Sequence, residues 1–139
     1  MAALFESNTG EGGKPADTSL FAAYVDLSDY QYHIVSQRDG TYIIPATAST
    51  VPFGILQNKP VAGQMAVVRI DGVSKLRVNT GGLAVGDHYG ADATAHGVAK
   101  TADTNMVLGE VLMAATAGKL HRLATVIVKG GVKSTISKT

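Results

Sequence analysis

Residues able to do chemistry are sparse in this chain, and their spacing is what matters first. Four histidines occur, His33, His88, His96 and His121. None stands at the close paired spacing with which a single element offers two imidazoles to zinc or copper. The densest group of hard and imidazole ligands is Asp87, His88, Asp92 and His96; it lies in a loop-rich stretch and reads as solvated polar residues rather than a metal site. The carboxylates Asp26, Asp29, Asp39, Asp71, Asp87, Asp92, Asp103 and Glu110 are scattered. A glycosidase needs two of them held about 5 to 9.5 Å apart beside a sugar, and spacing singles out no pair. Asp39 and Asp71 each precede a glycine and have a simpler place in turns, while Glu110 interrupts an apolar run and is expected to point outward from a strand.

Other reactive arrangements fare no better. Gly10-Glu11-Gly12-Gly13-Lys14 and Gly81-Gly82 lack the strand-to-helix setting and the Gly-Lys-Ser/Thr ending of a phosphate loop. There is no Gly-x-Ser-x-Gly elbow, and cysteine is absent, which removes thiolate nucleophiles, thiolate metal sites and disulfides together. Arg69, Lys75 and Arg77 beside Tyr42 or Tyr89 could imitate an oligonucleotide-binding barrel. With a net charge of +1 and no recurring aromatic face, the basis for nucleic-acid binding is slight. The expectation is a non-enzymatic protein with no cofactor, no metal, no nucleic-acid partner and no membrane span.

The elements that would position these residues are short strands. The 139 residues suffice for one domain, and 45% hydrophobic against 17% charged residues is a folded composition. Sixteen glycines with 6% aromatics favour strands and tight turns over long amphipathic helices. Residues 1–19 read as a flexible arm carrying the apolar pairs Leu4-Phe5 and Leu20-Phe21 at its ends, although Asp17-Thr18-Ser19 could cap a helical turn over Leu20 to Tyr24. The opening residues lack a secretory leader pattern, so synthesis in a cytoplasm is expected.

Two β-rich runs around Arg38-Asp39-Gly40 predict a hairpin, and runs 64–70 and 73–78 around Asp71-Gly72 predict a second. In the latter, Val73, Lys75 and Arg77 fall on a wet face opposite Ser74, Leu76 and Val78. Val107 to Ala115 fits helical spacing as well as a buried strand; its short length and Gly109 favour the strand. Arg122 to Val128 is the last strand, and residues 129–139 read as a polar tail. About eight strands with turn signals roughly every ten residues describe an all-β barrel or sandwich over residues 20–128. No repeat of fixed period is visible.

From Val51-Pro52-Phe53-Gly54-Ile55-Leu56 through Pro60, Gly63 and Met65-Ala66-Val67-Val68, the chain resembles small capsid cement proteins of tailed phages. Asp71-Gly72-Val73, Leu83-Ala84-Val85-Gly86-Asp87 and Leu108-Gly109-Glu110-Val111-Leu112 followed by Gly118 continue the likeness in order, over roughly Tyr30 to Val128. The resemblance implies a β-barrel or β-tulip domain with an extended N-terminal arm, usually a homotrimer. It implies seating on the outer capsid surface of an expanded phage head, with the major capsid protein as partner. Leu4, Phe5, Leu20 and Phe21 would then be the arm's anchors, and binding several shell subunits at once would stabilise the shell. The loop lengths and basic tail depart from the phage-lambda type of decoration protein. The alternative is an adhesive β-module, either a head-fibre base or a surface-glycan binder; a small barrel hydrolase is a third class.

Overall fold

The computed structural model describes residues 18–100, 106–115 and 122–129. They form ten strands and, among the described residues, no helix: β1 Thr18–Ala23, β2 Ile34–Arg38, β3 Tyr42–Pro45, β4 Gly54–Leu56, β5 Met65–Arg69, β6 Gly72–Val78, β7 His88–Ala91, β8 Gly97–Ala99, β9 Gly109–Met113 and β10 Arg122–Val128. The all-β expectation holds, and so does the strand assignment for the ambiguous segment that became β9.

The sheet closes twice. Strands β1-β3-β2-β4-β5 form one closed barrel and β10-β6-β8-β7-β9 a second. Within each, the first strand runs parallel to the third and the other neighbours are antiparallel. The two barrels therefore share one topology, and the likeness extends to individual hydrogen bonds. Tyr32 N–H donates to Leu56 O at 2.7 Å and Gly86 N–H to Val111 O at 2.9 Å; Leu56 N–H donates to His33 O and Val111 N–H to Asp87 O. Ala46 N–H to Ile34 O is matched by Lys100 N–H to His88 O, and Tyr24 N–H to Ile43 O by Asn79 N–H to Gly97 O. Tyr32 and Gly86 even share a positive φ, 66° and 88°. A duplicated five-strand unit is thus present where the sequence showed no fixed period.

Two sequence expectations need correction. Thr18–Ala23 is a strand rather than a capped helical turn, because it pairs with β5 over five positions and with β3 on its other side. The Asp71-Gly72 hairpin is absent: β5 pairs with β1 and β4, whereas β6 pairs with β10 and β8. At the first turn Asp39 and Gly40 both take positive φ, 55° and 68°, and Thr41 N–H donates to Arg38 O, the tight backbone turn that joins β2 to β3. At the second only Gly72 does, and the chain passes from one barrel to the next.

The barrels meet through a wedge. In the first, Ala22 pairs directly with Tyr42. In the second, the equivalent strands β6 and β8 pair only at Val78 and Gly97, and residues 32–34 of the first barrel enter the gap. Arg77 N–H donates to Tyr32 O at 2.8 Å and Ile34 N–H to Ala95 O at 2.9 Å. Ile34, Ala46 and Ile55 consequently belong to the second barrel's core with Leu76, Val78, Tyr89, Leu108 and Val126. The first barrel keeps its own cluster around Leu27, Val35, Ile43, Leu56 and Val68.

Candidate interaction surface

Alternation along β1 decides which residues the first barrel presents. Phe21 and Ala23 turn inward, and the Phe21 ring meets Phe53 edge-on at 5.8 Å beside the core. Leu20 and Ala22 turn outward. Leu20 lies opposite Val67, and Ala22 lies between Met65 of β5 and Tyr42 of β3. Beyond the strand end, the Tyr24 ring packs on Tyr42 with centroids 5.4 Å apart, and the Arg38 guanidinium covers Tyr24 at 4.3 Å, a cation–π contact. Leu20 is 60% exposed, Met65 52%, Tyr24 45% and Tyr42 39%. Apolar side chains thus run across three strands, and Arg38 at the edge has Asp39 at 3.9 Å.

The second barrel's corresponding wall is different in chemistry. The matched registers place Lys75 opposite Thr125 and Arg77 opposite Leu123, where the first barrel has Leu20 opposite Val67 and Ala22 opposite Met65. The wet face expected for Val73, Lys75 and Arg77 is therefore this wall.

The structure separates the polar residues that the sequence grouped. Asp87 accepts the Ala84 N–H at 2.9 Å and shapes a turn. His88 Nε2 lies 3.4 Å from Glu110, which Lys129 also approaches at 3.4 Å; Glu110 is partly exposed, as its outward position implies. Asp92 accepts hydrogen bonds from Thr94 N–H, Thr94 Oγ1 and His96 N–H through Oδ1, and from Asn79 through Oδ2. Burial raises its pKa, but these four bonds outweigh it and hold the carboxyl below its ordinary value. His96 is buried and its ring lies 4.6 Å from that of His33, across the junction of the barrels. Among the described residues, no group of three or more His, Cys, Asp or Glu could hold a metal ion. Tyr89 is fully buried and donates to Ile127 O at 3.1 Å, so it offers no stacking platform to a nucleic acid.

Of the residues expected to anchor the arm, Leu20 is exposed on the wall and Phe21 packs beside the core. Leu4 and Phe5 lie outside the described residues, as do His121 and the polar tail beyond Lys129. Tyr24 and Met65 were missed as surface candidates, and Tyr42 was weighed only as a nucleic-acid contact. Their signal was the alternation of Leu20, Ala22 and Tyr24, which assignment to an arm concealed.

A sequence pattern described as phage cement protein matches residues 22–130. The chain belongs to the phage cement protein family. The resemblance carried by Gly54-Ile55-Leu56 and Gly109-Glu110-Val111 is upheld, and with it capsid decoration as the role and binding to capsid proteins as the means. No curated protein sequence matches this cement protein. Among solved structures it is similar to the N base of head fiber gp8.5 of bacteriophage phi29, at 18% identity and a TM-score of 0.59, covering 86% of this chain and 97% of that one. At that identity the likeness is one of fold.

Proposed function

We propose that this cement protein sits on the outer surface of an expanded phage head and bridges neighbouring major capsid subunits, acting by binding alone and without turnover. The family match over residues 22–130 carries this reading. The geometry supports it: a two-barrel block presents a broad apolar wall and is preceded by a segment containing Leu4 and Phe5. A homotrimer would multiply these contacts, so that individually weak ones hold together. Leu4, Phe5 and Leu20 serve as contacts, and Phe21 supports the wall from within. Synthesis takes place in the host cytoplasm.

Co-sedimentation with expanded capsids lacking the protein tests the reading, with bound copies counted at saturation. Saturable binding at a ratio set by the capsid lattice is the expected result, and absence of binding overturns it. Removing residues 1–17 should weaken binding at least tenfold and leave the barrels folded. The cut stops short of Thr18 because β1 begins there. Unchanged affinity would remove the leading segment from the mechanism. The likeness to the phi29 fibre base favours a second reading, in which the block is a base for an adhesive element. Selective binding on a glycan array would support that reading; a cement protein should show none.

A further inference from the structure

The duplicated fold contains its own control for what a barrel wall requires. Both barrels build the same wall from the first strand paired antiparallel with the fifth. The second folds it with Lys75, Arg77 and Thr125 facing outward; the first has Leu20, Ala22 and Val67 at those positions. The scaffold therefore does not demand apolar residues there. Met65 keeps an apolar counterpart, Leu123, and one pair further along the chemistry reverses, Arg69 of the first barrel standing where the second has Ile127 beside the exposed Val73. Two tyrosines extend the apolar surface, Tyr24 where the second barrel has Asn79 and Tyr42 at the position of the buried His96.

We propose that the β5–β1–β3 wall of the first barrel is the face that docks on the capsid shell. This rests on the cement reading and names the surface that performs it. Two observations select the occupant. The preceding 17 residues, with Leu4 and Phe5, join the fold at Thr18, the first residue of β1, so segment and wall approach one partner together. The equivalent wall of a second copy presents the exposed Lys75 opposite Thr125, and seating that ammonium on an apolar surface would strip it of water. The partner that fits is an uncharged, largely apolar region of a shell subunit.

The test transplants the second barrel's chemistry into the first, as Leu20→Lys, Ala22→Arg and Val67→Thr together, because these residues already suit the same backbone. The expected result is an unchanged melting temperature within a few degrees, an unchanged mass in solution and at least tenfold weaker capsid binding. Unchanged capsid binding overturns the assignment, and so does a fall in oligomeric mass, which would give the wall to a second copy. If the unaltered protein fails to bind capsids, the cement reading itself fails and takes this assignment with it. A measurement on the unaltered protein guards against a variant that does not fold. Met65 is 52% exposed on the wall and Met113 63% exposed on the other barrel. Capsid binding should slow peroxide oxidation of Met65 several-fold relative to Met113, and equal rates in bound and free protein would overturn the proposal.

Discussion

At the scale of single residues, one matched pair of positions shows how context selects chemistry. Ile34 and Ile55 pair across β2 and β4 and are buried at the barrel junction; His88 and Glu110 pair across β7 and β9 at the equivalent positions and reach solvent. The same backbone carries an apolar pair where it is covered and a polar pair where it is not, as terminal units of repeat proteins do. Replacing both residues, His88→Ile with Glu110→Ile, should leave the fold intact and cause concentration-dependent association in sedimentation velocity; a monodisperse, unchanged species would contradict this account. Asp92 gives a second test. Its carboxyl is held below the ordinary value of 3.8, so its stabilising effect is complete above that value and is lost as pH falls through the lower, folded-state pKa. Melting temperature should therefore drop as pH falls below the ordinary carboxylate range, and Asp92→Asn should flatten part of that drop. Nothing in sequence distinguished Asp92 from Asp87, because both stand in turn-rich stretches and only the folded β7–β8 connection brings Asn79 and His96 to one of them.

At the scale of elements, two glycines mark where strands come closest. A Cβ on Gly54 would strike Arg69 O and Val68 Cγ1, and one on Gly109 would strike Ile127 O. Gly109→Ala should cost about 3 kcal/mol or more, since backbone rather than a flexible side chain must move. Urea unfolding measures this, and a loss of under about 1 kcal/mol would show that the strands separate more easily than their spacing suggests. These glycines were readable as markers. Gly54-Ile55-Leu56 with Ala62-Gly63, and Gly109-Glu110-Val111 with Ala117-Gly118, repeat a pattern at the same internal separation. The duplication escaped notice because separations between equivalent residues drift along the chain, Gly54 answering to Gly109 but Arg69 to Ile127. The hairpin at Asp39-Gly40 was legible because local backbone preference settles it. Asp71-Gly72 was not, since the partners of β5 and β6 are fixed by long-range pairing that a two-residue signal does not encode.

At the scale of the whole molecule, the wedge makes the barrels unequal. The first retains a cluster of its own residues, whereas the second borrows Ile34, Ala46 and Ile55. A fragment beginning at Gly72 should therefore fail to fold alone. Ile34→Ala should destabilise by about 2 to 4 kcal/mol in a single calorimetric transition; two resolved transitions would show that the barrels melt independently. The all-β class was legible from small and β-branched residues, but the apolar wall was not, because an exposed Leu20 and a buried Phe21 are alike in composition and separate only once β1 has partners on both sides. Closure has one more consequence. A protein bound in many copies over one shell lives at local concentrations where an unpaired strand would seek its neighbour's strand and fuse the layer into aggregate. All ten described strands are flanked on both sides within their own barrels. The described strands of such molecules can be crowded shoulder to shoulder and still meet only through side chains.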